Sequence, residues 1–199
     1  MIIKEVPQSF ISPGKPTEDQ YIFGSGQLTG YILRPSGQWP IPTDNELQAR
    51  NGLETTACTI FGMIHAIVSI FKALFGIDVN YAERFNATGS GTDPAKGGND
   101  PHKVAEWSRH NGFVDEAVWP FDDSVKTLAE YYAPLTRETL KKGKEWLNKW
   151  TFKHDWLSDG GLIDKETLKK ALRYSPLGVA VYAWAHDDVN DVYIRPEGA

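Results

Sequence analysis

A single cysteine, Cys58, stands among 199 residues, so no disulfide can form within the chain. Small secreted domains usually carry several cysteines, and this scarcity predicts a reducing, cytosolic setting. It also excludes cysteine-rich zinc sites, and the histidines show no ligand spacing that would replace them. Basic charge is not in excess: 21 Lys and Arg face 26 Asp and Glu, a formal charge of -5, which argues against a nucleic-acid partner. The one basic run, Lys141-Lys142-Gly143-Lys144, lies in a helical pattern and reads as a solvated helix face rather than a phosphate site. Residues 1–7 contain no apolar core of a secretion signal. The longest apolar stretch, Thr55 to Phe71, contains His65 and is followed by Lys72. It falls short of the roughly 20 clean residues of a membrane span and is expected to be a buried core helix. The glycines from Gly89 to Gly97 miss phosphate-loop spacing, because Lys96 is followed by Gly rather than Ser or Thr. No internal repeat is visible, and neither cofactor nor metal is expected.

What remains is ordinary globular material, 41% hydrophobic and 24% charged. Residues 1–50 hold Pro7, Pro13, Pro16, Pro35, Pro40 and Pro42 and read as an extended arm that packs onto something else. A helix is expected from Cys58 to Gly76, capped by Thr55 and Thr56. Its small or polar positions Cys58, Gly62, His65, Ser69 and Lys72 form one narrow stripe, with apolar residues elsewhere. Asn86 to Pro94 reads as a long flexible loop. Pro101 opens a helix to about His110. Thr136 to Lys153 reads as an amphipathic helix, and Asp164 caps another from Lys165 to Arg173. Gly178 to Trp184 reads as a buried strand with which Tyr193-Ile194 pairs. The seven tryptophans read as core and interface packing rather than as a carbohydrate platform.

The chemistry centres on Cys58. A thiol is a poor nucleophile until it ionises, and a helix N-terminus favours the thiolate through its unpaired N–H groups and dipole. The same N–H groups can stabilise an oxyanion on an attacked carbonyl. The other reading of an isolated cysteine is an inert core residue.

Ala57-Cys58-Thr59-Ile60-Phe61 resembles the segment around the nucleophile of papain-like cysteine peptidases, with Thr59 in place of the family's Trp. Further resemblances follow in order. They are Gly97-Gly98-Asn99-Asp100-Pro101, Ala105-Glu106-Trp107, Asn111-Gly112-Phe113, Trp119-Pro120-Phe121, and Leu168 to Val181. Leu53-Glu54-Thr55-Thr56-Ala57-Cys58 is similar to divergent members encoded by bacteriophages. The resemblance implies an α+β fold with two lobes. A helical lobe with the cysteine on its central helix spans about 51–160, and the start of a β-rich lobe spans about 161–199. It implies a peptide or protein substrate in the cleft between lobes, with no membrane and no nucleic acid involved. Gly97 and Gly98 would offer main-chain hydrogen bonds to that substrate, since glycine lets another backbone approach. The family's oxyanion glutamine falls at Gly52, so Gln48 and Asn51 are the candidate donors; ionised Glu54 has no donor. A phage-encoded protein would work in the host cytoplasm or the virion.

Such a peptidase needs a histidine to share the thiol proton. The resemblance places that histidine, and the asparagine that orients it, beyond residue 199, so the sequence reads as a fragment of the full domain. His65 lies seven residues along the helix from Cys58, about 10.5 Å away, and is expected to be structural. His102, His110 and His154 are expected at the surface or in caps, and His186 is the one histidine kept as a catalytic alternative. The expected function is therefore thiol-dependent peptide-bond hydrolysis. The alternatives are a catalytically inactive papain-fold module, for binding or for a phage particle, and an unrelated α+β domain with Cys58 in its core.

Overall fold

The computed structural model describes residues 11, 14–18, 20, 22–23, 32–43, 46–158, 161–179, 185–187 and 192–194, the last two by backbone alone. Among these residues the fold is mixed α+β, with six α-helices and two small antiparallel sheets. A hairpin of β1 (Ala49–Arg50) and β2 (Leu53–Glu54) leads into α1 (Cys58–Phe75). Then come α2 (Glu83–Ser90), α3 (Pro101–Asn111), α4 (Leu128–Tyr131), α5 (Arg137–Leu147) and α6 (Lys165–Leu172). A second pair, β3 (Ala185–Asp187) and β4 (Val192–Ile194), follows. β4 pairs with β3 in the register His186↔Tyr193; of the expected strand at Gly178–Trp184, residues 180–184 lie outside the described residues, and Gly178 and Val179 are not in a strand.

The central helix forms where its sequence requires. Ile60, Phe61, Ile64, Ile67, Val68 and Phe71 recur at helical spacing and are all buried. Gly76 ends the helix in the left-handed conformation at φ 68°, with its N–H on the Lys72 carbonyl. This is the one described helix long and apolar enough to cross a membrane, with a mean hydropathy of 1.9. Its apolar face is covered by α2 and α3. The polar stripe is partly consumed by the fold. Ser69 is buried and donates to the His65 carbonyl (2.8 Å), and Lys72 pairs with Asp78 (3.1 Å).

Two expectations fail around this helix. Residues 83–90 form α2, where a loop was expected across Asn86 to Pro94. Its polar residues find buried partners that local composition cannot reveal. Asn86 Nδ2 donates to Ser108 Oγ (2.8 Å) and the Gly112 carbonyl (3.2 Å). Asn99 Nδ2 donates to Ser90 Oγ (2.9 Å) and Thr92 Oγ1 (3.1 Å). Gly89 is a contact rather than a breaker: a Cβ there would lie closer than 3.0 Å to the Trp107 ring. Likewise, the basic run on α5 is not wholly a solvated face. Gly143 is buried against the end of α3, and Lys144 Nζ donates to the His110 carbonyl.

Several local signals act as expected. Pro101 opens α3. Asp164 caps α6 through the Thr167 N–H (2.9 Å). Thr136 caps α5, which ends at Leu147 rather than Lys153. The aromatic residues pack as a core: Phe71 meets Trp150 at 4.8 Å between ring centres and Phe113 meets Trp146 at 4.9 Å. Trp107 stacks edge-on against Phe85 at 5.0 Å.

The described part of the first fifty residues lies against later segments. Trp39 Nε1 donates to the Leu172 carbonyl (2.7 Å), and the N–H groups of Leu33 and Arg34 donate to the Arg173 carbonyl (3.0 Å each). Phe23 N–H reaches the Trp156 carbonyl (2.6 Å), and Ile11 N–H the Asn99 carbonyl (3.0 Å).

Candidate functional site

The approach to Cys58 is a tight and partly strained segment. Asn51-Gly52 turns the β1–β2 hairpin, both residues having positive φ (57° and 75°), the arrangement that matches strand twist in a two-residue turn. The chain then passes Thr55, fully buried, whose Oγ1 donates to the Gln48 carbonyl (2.9 Å) and whose own carbonyl accepts from Tyr132 Oη (2.6 Å). Thr56 follows at φ 54°, an unfavourable conformation for a β-branched residue. It is held by its N–H on Glu54 Oε1 (2.8 Å) and its hydroxyl on the Thr55 carbonyl (2.7 Å). Strain of this kind costs on the order of 1–3 kcal/mol and persists where the surroundings over-determine it.

Those bonds correct the expected caps. Neither Thr55 nor Thr56 caps α1, because both hydroxyls are turned to carbonyls before it. The N-cap is Ala57, without a side-chain hydrogen bond, and the first turn carries no acidic residue. Among the described residues no side chain caps this end of the 18-residue helix and its first turn holds no acidic residue; Cys58 is its first residue. Cys58 is half-buried rather than sealed in the core.

The other expected site residues are placed as follows. Asn51 Nδ2 donates to the carbonyls of Asp122 (3.1 Å) and Val125 (3.5 Å), so its amide N–H groups tie the hairpin turn to the 122–125 segment. Gln48 is half-buried, with Oε1 sealed from solvent and without a hydrogen-bond partner. Gly97 and Gly98 follow a short turn, Pro94–Lys96. The Gly97 N–H goes to the Pro94 carbonyl (3.2 Å), and Gly98 exchanges both main-chain bonds with Asp93 (3.0 and 3.1 Å). The backbone of Gly98 is therefore committed within its own loop.

Four histidines have described side chains. His65 is two turns along α1, half-buried, with its Nε2 lacking a hydrogen-bond partner and its pKa lowered by burial. His110 is exposed beside Glu106. His102 and His154 are not independent surface residues as expected. His102 Nδ1 and His154 Nε2 are 3.0 Å apart, and Gln20 Nε2 sits 2.7 Å from His102 Nε2. Burial and then the neighbouring His102 lower the pKa of His154, against an opposing pull from Glu106. A histidine with a lowered folded pKa contributes stability above about pH 6.5, which is lost as pH falls through the folded value. Urea midpoints measured from pH 7.5 down to pH 5 should therefore fall, and His154→Asn should flatten that slope. An unchanged slope in the variant would remove His154 as its source. The side chain of His186 is outside the described residues.

A second cluster was not visible in the sequence. Glu46, Glu83 and Glu116 each bring one carboxylate oxygen within 4.8 Å of the other two. Glu83 is only 1% exposed. Burial, and then Glu46 beside it, push its pKa up to about 10; burial also raises Glu116 to about 7. A small cleft, partly open to solvent, is lined by Glu46, Glu83, His65, Asp78 and Asn80. The three glutamates lie far apart in the chain, and each alone reads as a solvated acid.

No family model matches the chain, and no curated protein and no solved structure shows significant similarity to it.

Proposed function

We propose that the chain carries the nucleophile helix of a papain-like, two-lobed cysteine peptidase, with Cys58 attacking the carbonyl of a peptide substrate. The observation that carries this reading is the entrance to α1. A half-buried cysteine occupies the first position of a long helix that, among the described residues, has no side-chain cap and no acidic residue in its first turn. Such a terminus lowers the cost of a thiolate and offers N–H groups to an oxyanion. The strained Thr56, two residues earlier, fits a segment shaped for function rather than for stability alone. The steps follow the chemistry of a thiol. The thiolate sulfur bonds to the peptide carbonyl carbon, the amine leaves with a proton from the partner histidine, and water then cleaves the thioester to the acid.

The second reading, a catalytically inactive module of the same fold that binds peptide or serves in a phage particle, is favoured by two observations. Gly98 spends its main-chain donor and acceptor on Asp93, and the amide of Asn51 is committed to the carbonyls of the 122–125 segment. Alkylation of Cys58 by iodoacetamide across pH 5 to 10 separates the readings. A nucleophile gives a rate inflection well below the ordinary thiol value of about 8.5, and Cys58→Ser abolishes labelling. An inflection at or above that value, or no reaction until the chain is unfolded, would exclude the peptidase.

A further inference from the structure

The three clustered glutamates come from separate segments. Glu46 precedes β1, Glu83 is in the first turn of α2, and Glu116 opens a short turn, Glu116–Val118. Two of them are fixed through one oxygen only. Asn80 Nδ2 donates to Glu46 Oε1 (2.9 Å), and the Phe121 N–H donates to Glu116 Oε1 (2.5 Å). The second oxygens are the unusual feature. Glu83 Oε2 and Glu116 Oε2 are sealed from solvent and have no hydrogen-bond partner in the structure. Buried polar atoms nearly always have a partner, and a bound ion is one way in which such atoms are satisfied. Among the described residues none of the three glutamates stands in an ion pair. Three carboxylates this close would repel one another strongly away from water if all were ionised.

We propose that Glu46, Glu83 and Glu116 bind a hard divalent cation of calcium's size, which enters through the cleft beside α1. The donor set is all oxygen, which such cations prefer. Calcium–oxygen distances of about 2.3–2.6 Å put ligands on opposite sides of the ion about 5 Å apart, whereas an octahedron around magnesium spans only about 4.2 Å. The oxygens lie within 4.8 Å of one another, a separation that an ion of calcium's size can bridge. Water from the cleft completes the coordination shell. His65, whose Nε2 is also sealed and without a hydrogen-bond partner, lines the same cleft but is outside the three-oxygen group, so the set stays hard. The site joins the segment before β1, α2 and the turn after α3, so the ion would fasten three segments of the fold. It does not involve Cys58 and stands whether or not the peptidase reading holds.

The test uses the whole chain, stripped with a chelator that is then removed, and titrated separately with calcium, magnesium and manganese chlorides. Calorimetry and the thermal midpoint are followed together. Calcium should bind saturably at one ion per chain and raise the midpoint, as a ligand specific to the folded state must. Magnesium should bind at least tenfold more weakly. Glu83→Gln and Glu46→Gln should each weaken calcium binding at least tenfold. Glu106→Gln, which alters an exposed pair with Arg109, should leave it unchanged. If Glu83→Gln fails to fold, the half-buried Glu46→Gln decides alone. The absence of saturable binding by any of the three ions, or calcium binding that survives in the glutamine variants, would overturn the proposal and leave a carboxyl cluster held by shared protons. Manganese binding without calcium binding would overturn the assignment to an ion of calcium's size.

Discussion

Gly143→Ala is expected to destabilise the chain by about 3 kcal/mol, although in an isolated helix the same change would stabilise it by about 1 kcal/mol. The reversal comes from the crossing of α3 and α5. A Cβ on Gly143 would fall closer than 3.0 Å to the Asn111 carbonyl oxygen and to the Phe85 ring. Neither neighbour can yield easily. The carbonyl belongs to the end of α3, and Phe85 is fully buried against Trp107. Gly112 meets α5 from the other side, and a Cβ there would press into the Gly143 carbonyl at a backbone already at φ 74°. The two glycines let the helices meet backbone to backbone, so a methyl on either one has nowhere to go. Chemical denaturation of Gly143→Ala beside Lys142→Ala, an exposed change on the same helix, separates propensity from packing. A Gly143→Ala chain as stable as the parent would mean that the crossing is looser than these separations imply.

The same contrast explains what the sequence could and could not show. α1 was legible because its burial is apolar: a hydrophobic face at helical spacing with a glycine stop needs no knowledge of its neighbours. The Asp164 cap was legible because a cap is a bond between residues two or three apart. α2 was not legible, because it is buried through polar groups. Asn86, Ser90, Asn99 and Ser108 have the composition of a loop, and only their partners across α2 and α3 make that composition a core. At the candidate site Cys58 was placed correctly at the head of its helix, but the two threonines before it were misread as caps. A threonine that can cap can equally bond a carbonyl behind it, and the choice depends on the hairpin and on Tyr132. Asn51-Gly52 carried a readable hairpin signal that was read instead as a donor position. The glutamate cluster had no local signature, since its members meet only through the tertiary fold.

Arg84 should prove the most sensitive charged residue of the helical part, with Arg84→Met costing about 4 kcal/mol. The side chain is only 6% exposed. Its guanidinium satisfies three carbonyls: Tyr131 from Nε (3.1 Å), Pro120 from Nη1 (2.6 Å) and Glu130 from Nη2. Two of these close the C-terminus of α4, where a cation also meets the negative end of the helix. Trp119 lies 5.1 Å from the guanidinium carbon and Tyr131 lies 5.7 Å from it, each with its ring face toward the charge. One side chain of α2 thus fixes both the Trp119-Pro120-Phe121 turn and α4. Methionine fills much of the volume but leaves three carbonyls without their donor, and a buried acceptor without a partner loses its full solvation. Arg84→Lys tests whether charge alone suffices. An ammonium cannot span three carbonyls held in a fork, so the lysine chain should keep less than half of the lost stability. Urea unfolding followed by tryptophan fluorescence reads both variants. A methionine variant within 1 kcal/mol of the parent would show that the three bonds are replaced by water at little cost, and the turn and α4 would then have to be held by Phe121 and Tyr131, whose rings meet at 4.8 Å.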